Sequence, residues 1–293
     1  MRKRYLLLIL LGVIVGYTAR FRVVPQFDDT SAVFAMAVLA GSPDFIEPPF
    51  YIETEEEPVE YAVYYYCDAP PEIAEPTPRP LMIAIDPGHQ GRANYQHEQN
   101  GPGSSNTRAR VATGTRGVST GIPEHELNLE VSLMLRDELR ARGYNVFMIR
   151  ETADVDISNR QRALMAAKSG ADIFVRIHAN GNDSSAVHGI MMLSHSRNNP
   201  YVPHLYESSR LLSDLMLEAM VASTGARNMG VFEVDTMSGS NWSRIPVTIV
   251  EMGFMTNPHE DELMATYEYR TKLVNGMANG IDQFFASALF QGR

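Results

Sequence analysis

The sequence predicts an α/β fold: a single domain with a mostly parallel, twisted sheet and helices on both faces, preceded by an N-terminal hydrophobic helix and an acidic, proline-rich stalk. Three observations carry this reading. From residue 81 onward, short β-type runs alternate with amphipathic stretches of helical period, as strands joined by crossover helices do. Residues 20–80 hold 12 Asp and Glu against 3 Arg, and 5 prolines crowd into the 12 residues 69–80. Residues 5–19 carry no charge and follow Arg2, Lys3 and Arg4.

That uncharged stretch of 15 residues lies between the core of a signal peptide and a full membrane span of about 20 residues. It reads as an export signal, either cleaved or kept as a membrane anchor. The positive flank places the rest of the chain outside the cytoplasm, at the outer face of the cytoplasmic membrane if the segment stays as an anchor. Residues 20–80 read as a stalk whose proline-rich end is extended and semi-rigid. The domain boundary falls near Arg79, so the chain divides into a signal or anchor (1–19), a linker (20–80) and a catalytic domain (81–290).

The formal net charge is −10, but the stalk holds −9 of it and residues after 80 only −4. Phosphate binding needs clustered Lys and Arg, so no nucleic-acid partner is expected. Cys67 is the single cysteine, which excludes an intramolecular disulfide and a cysteine-rich metal site. The chain is read as a monomer.

Within the domain, Leu81–Ile85 is a strand candidate. Leu127–Arg142 is helical, with Leu127, Val131, Leu135 and Leu139 four residues apart and Gly143 as a stop. Tyr144–Ile149 is a strand. Asn159–Ser169 is a helix with Ser158 as its cap. Asp172–Ile177 and Gly189–Leu193 are strands, Leu205–Ser223 is a helix, Val247–Val250 is a strand and Lys272–Ala286 is a closing helix. Between Gln90 and Pro123 lie 34 residues rich in Gly, Ser, Asn, Thr and Arg, without periodicity. A loop of that length inside a domain borders a functional site or is a solvated insertion. Its Arg92, Arg108, Arg110 and Arg116 are candidates to engage an anionic substrate.

Three strands stop on residues with chemistry. Leu81–Ile85 leads through Asp86, Pro87 and Gly88 to His89; Asp172–Ile177 leads to His178; Val247–Val250 leads to Glu251. The carboxyl ends of parallel strands line one edge, where α/β sites are built. Two histidines with a carboxylate suit catalytic zinc, which takes three protein ligands and keeps one position open. Glu124 and Glu126, at the start of the first helix, compete for the third position, and spacing does not choose between them. Glu251, a charge directly after a buried strand, is a candidate to move a proton, or else the partner of Arg150 or Arg176. His97, His125, His188, His195, His204 and His259 have no comparable setting.

Taken together, Asp86-Pro-Gly-His89, Glu124-His-Glu-Leu-Asn-Leu129, Arg176-Ile-His-Ala-Asn180 and Val250-Glu-Met-Gly-Phe-Met-Thr-Asn257 resemble the motif series of the N-acetylmuramoyl-L-alanine amidase type 3 family, from about Met82 to Phe285. The resemblance implies a zinc enzyme that cuts the amide between N-acetylmuramic acid and L-alanine of peptidoglycan. It implies His89, Glu124 and His178 as ligands of one Zn2+ and Glu251 as the catalytic residue. Peptidoglycan is then the partner, with the membrane a second one if residues 1–19 stay uncut. The chain departs from the family pattern twice: Gln90-Gly91 stands where two glycines are usual, and Arg176 where Ser is usual. Both departures are expected to reshape the groove. A zinc peptidase is disfavoured because nothing resembles His-Glu-x-x-His. A non-catalytic peptidoglycan-binding module is disfavoured because all four catalytic positions are filled.

Overall fold

Apolar runs that alternate between two faces force the central strands to be covered on both sides. The computed structural model describes residues 80–291. The expected anchor, stalk and Cys67 lie outside the described residues. In chain order the elements are β1 (Met82–Pro87), β2 (Asn94–Gln99), β3 (Thr107–Val111), α1 (Glu124–Ala141), β4 (Asn145–Met148), α2 (Asn159–Lys168), β5 (Ile173–Asn180), β6 (Ile190–Ser194), α3 (Tyr206–Thr224), β7 (Asn228–Glu233), α4 (Ser238–Asn241), β8 (Val247–Phe254), α5 (Pro258–Ala265), α6 (Tyr267–Ala286) and α7 (Ala288–Gln291). Among them no helix is long and apolar enough to cross a membrane.

Six strands form one sheet in the order β4-β1-β5-β8-β6-β7. All neighbours are parallel except β6 and β8. Successive side chains of a strand point to opposite faces. Ile83, Ile85, Ile173, Val175 and Ile177 therefore share one core with Leu127, Val131, Leu135 and Leu139 of α1 and with Leu273, Met277, Ile281 and Phe284 of α6. Ala84, Phe174 and Val247 meet Ala163 and Ala166 of α2 on the other face. Each Leu, Ile or Phe buried this way contributes about 1.5–3 kcal/mol relative to exposure. Helices α3 and α6 cross closely because α6 carries glycines at the contact. A Cβ on Gly276 or Gly280 would lie 2.6 or 2.5 Å from the Cα of Met220 or Met216.

The mostly parallel α/β architecture with helices on both faces is as expected, but several boundaries differ. α1 begins at Glu124 rather than Leu127, because Pro123 starts the helix one turn before its apolar stripe. α6 begins at Tyr267 rather than Lys272, capped by the Thr266 hydroxyl. Strands β5 and β8 run on to Asn180 and Phe254, so His178 and Glu251 lie inside strands rather than just beyond them. The register between the two strands slips after the His178–Glu251 pair. An irregularity of this kind re-aims side chains at a sheet edge.

The stretch 90–123 is not structureless. It folds into the antiparallel hairpin β2–β3. Polar contacts tie the hairpin down: Asn94 donates to Asp156, Trp242 Nε1 to the Gln99 carbonyl, and Asn241 to the Asn100 carbonyl. Ser158 caps α2 as expected, in a reciprocal capping box with Gln161.

Candidate metal centre

His89 leaves β1 through a turn that only a special backbone allows. It is the one non-glycine among the described residues with positive φ, at 58°. Such a conformation persists where surrounding contacts over-determine it. The turn aims the imidazole back over the sheet edge. There His89 Nδ1 donates to the Ala112 carbonyl, 2.8 Å away, which fixes the ring and turns Nε2 inward. Nε2 points at Glu124 Oε1, 3.1 Å away. His178, on the adjacent strand, brings Nδ1 to 3.2 Å from the same oxygen, and its Nε2 is buried with no partner. The two rings meet edge to face, with centroids 4.9 Å apart.

Glu124 is the first residue of α1 and is 3% exposed. Its carboxylate is held from several sides. Asn128 Nδ2 and the Ala179 amide donate to Oε1, and the Thr115 amide donates to Oε2 at 2.8 Å. Glu126 is exposed and lies 3.8 Å from His125, so the structure brings Glu124 and not Glu126 to the two histidines. Burial opposes ionisation of Glu124, but the bonds and charge of His178 and His89 outweigh it and hold the carboxyl well below the usual range. Burial pulls His178 down to about 4, beyond what its bond to Glu124 restores. For His89 the same burial is outweighed by Glu124, and its pKa is raised.

Ligand atoms of His89, Glu124 and His178 all lie within 4.8 Å of one another. Two imidazoles, one carboxylate and an orphaned buried nitrogen fit a borderline cation such as zinc. Space for this set is made by Gly88. A Cβ there would lie 2.4–2.6 Å from three atoms of the His178 ring. Gly88→Ala is therefore expected to displace His178 and to lower the metal content of the purified protein, measured by elemental analysis.

Glu251 stands directly across from His178 in the β5–β8 register. It bonds neither of the arginines expected as alternatives. Arg176 donates to Asp86 and Asn159, and Arg150 to backbone carbonyls. Glu251 Oε2 is buried without a hydrogen-bond partner. Burial and the neighbouring charge of Glu124 push its carboxyl well above the usual range, against the pull of Arg176. A buried carboxyl of that kind is poised to exchange a proton.

The two departures from the family pattern are both buried side chains. Gln90 and Arg176 are 1% and 3% exposed and join one hydrogen-bond network with Asp86 and Arg162. Asp86 accepts from Arg162 Nη1 at 2.6 Å and from Arg176 Nε at 2.9 Å, while Gln90 Oε1 accepts from Arg162 Nη2. Sequence reasoning missed Arg162. Its signal was an arginine on the sheet-facing side of α2, beside Ala163 and Ala166. Of the four loop arginines, Arg110 is tied to Gln96 and Gln161 and Arg116 to the Gly121 carbonyl, while Arg92 and Arg108 are exposed.

A His/Glu/His cluster that could hold a metal ion, with a buried acid beside it at one edge of an α/β sheet, suits a hydrolase. Residues 83–283 match the N-acetylmuramoyl-L-alanine amidase family (Amidase_3), and the chain belongs to that family of enzymes. It is 28% identical to the N-acetylmuramoyl-L-alanine amidase Rv3717 of Mycobacterium tuberculosis over 219 residues, covering 71% of this chain and 87% of that protein. It is 32% identical over 171 residues to the uncharacterized protein YqiI of Bacillus subtilis, covering 57% of this chain and 77% of the relative. The crystal structure of the amidase Ami1 from Mycobacterium smegmatis superposes with a TM-score of 0.64 at 27% identity, over 70% of this chain and 97% of that one.

Proposed function

We propose that the chain hydrolyses the amide between the lactyl group of N-acetylmuramic acid and L-alanine in peptidoglycan, with one zinc ion held by His89, Glu124 and His178. The observation that carries the reading is the convergence of these three side chains beside the unpaired acid Glu251. Membership of the amidase family and the named activity of Rv3717 and Ami1 support the bond chosen.

Zinc held there supplies a Lewis acid that polarises the scissile carbonyl and makes a water molecule more acidic. The chain's own residues do the rest. The Ala112 carbonyl orients the His89 imidazole, and Glu251 takes the water's proton and returns it to the leaving amine. Residues 81–290 form the catalytic domain. Residues 1–19 act as export signal or anchor and 20–80 as a stalk, which together deliver a monomeric enzyme to the cell wall.

His178→Ala is expected to lose bound zinc while the domain stays folded, which elemental analysis and circular dichroism check together. The activity itself is tested by mass spectrometry of digested peptidoglycan. Stem peptides with a free L-alanine N-terminus support the amidase. Products cut at another peptide bond would replace it with a zinc peptidase, and intact but bound glycan would replace it with a binding module.

A further inference from the structure

We propose that Arg150 and Arg162 are positioning residues that set the metal affinity of the centre, by clamping the Pro87–His89 turn in the backbone conformation that His89 needs. The proposal rests on the metal reading above and concerns two side chains that touch neither the ligand atoms nor the reacting bond. Its basis is the way two guanidiniums from different elements share three consecutive carbonyls. Arg150, just after β4, donates from Nε to the Pro87 carbonyl at 2.8 Å and from Nη2 to the Gly88 carbonyl at 2.9 Å. Arg162, on α2, donates from Nη1 to the Pro87 carbonyl and from Nη2 to the His89 carbonyl, both at 3.0 Å.

The Arg162 guanidinium is committed in full, and four of the five Arg150 donors are paired. Arg162 spends its remaining donors on Ile157, Asp86 and Gln90, so all five have acceptors. Arg150 Nη2 also donates to the His125 carbonyl at 2.8 Å, which ties the His89 turn to the first turn of the helix carrying Glu124. The clamp thus fixes both the strained conformation of one ligand and its distance from the next.

The arrangement is costly unless it serves something. An L-residue held in the left-handed region, as His89 is, carries backbone strain. Two buried cations also stand side by side, since burial and Arg162 hold Arg150 down to about 10. Two buried arginines, Arg162 and Arg176, share the carboxylate of Asp86, and Arg150 has none of its own. Gln90 and Arg176 complete the same network, Gln90 by accepting from Arg162 and Arg176 by donating to Asp86. A lysine cannot replace either arginine, because one ammonium cannot span two carbonyls in a plane.

The test compares Arg150→Lys and Arg162→Lys with Arg142→Lys, a control whose guanidinium bonds Glu138, Asn279 and Asp282 away from the centre. Zinc affinity is measured by chelator competition at a temperature where each protein is folded, and Tm is measured without metal. A clamp variant is expected to bind zinc about 10–100-fold more weakly, the usual effect of losing a partner that orients a ligand. The control is expected to shift Tm alone. Clamp variants with wild-type zinc affinity overturn the proposal, whatever their Tm. So does failure of both to fold, which assigns the arginines to the scaffold. Wild-type protein that binds no zinc overturns the metal reading itself, an outcome visible before any variant is compared.

Discussion

Glu251→Gln is expected to keep its zinc and lose amidase turnover by a factor of about 10²–10⁴, the range that a positioned general base supplies. The substitution preserves shape and one hydrogen-bonding oxygen but removes the site that takes the water's proton. Because Glu251 stands opposite His178 without being one of the three converging ligands, the metal set is left whole. Burial and the Glu124 charge raise the Glu251 carboxyl well above the usual range. A base with a raised pKa is protonated at low pH, so wild-type activity is expected to climb as pH rises on the acid side. The residual activity of the Gln variant is expected to lack that limb. Turnover near the wild-type level with zinc in place would remove Glu251 from the mechanism.

Asp86→Asn is expected to destabilise the domain by about 3–5 kcal/mol, because breaking a buried ion pair leaves its partners uncompensated. Arg162 and Arg176, 0% and 3% exposed, would face a neutral amide. That loss is a large fraction of the 5–15 kcal/mol typical of a domain. The pH dependence follows from the same carboxylate. Burial opposes its ionisation, but the charges and hydrogen bonds of Arg162 and Arg176 prevail and hold Asp86 at about 2 instead of 3.8. A depressed pKa stabilises the fold above the unfolded value and loses that contribution as pH falls. The stability owed to Asp86, roughly 2 kcal/mol, is therefore present above about pH 4 and lost between about pH 4 and 2. Denaturant unfolding of both proteins at neutral and acid pH checks it. A variant as stable as wild type at neutral pH would deny the ion pair its role.

The strands that build the site were legible because burial on both faces leaves nearly continuous apolar runs, as at Ile173–Ile177 and Val247–Val250, interrupted only by Arg176 and Thr248. Their carboxyl ends placed His89, His178 and Glu251 at one edge before any coordinates. The hairpin β2–β3 was not legible. Its residues are held by polar contacts to Asp156, Trp242 and Asn241 instead of by an apolar face, so no period of two arises. β7 escaped for a related reason: it is an edge strand interrupted by Gly230, which has a φ of 95°. Glu124 and Glu126 could not be separated by spacing. The choice depends on which side of the first helical turn faces β5, and Pro123 sets that four residues before the apolar stripe begins. The arginines around Asp86 come from positions 76 and 90 residues further along the chain, a convergence that no local pattern announces.

The central claim is that the His89, Glu124 and His178 cluster holds a zinc ion required for cutting the muramoyl–L-alanine amide. It is tested most directly by counting free L-alanine N-termini released from purified peptidoglycan. The wild-type enzyme is assayed as purified, after chelation, and after zinc is restored. The account predicts release that stops on chelation and returns when about one zinc per chain is added back. Release that persists in protein shown to be metal-free, or zinc-loaded protein that frees no L-alanine N-terminus, would contradict it.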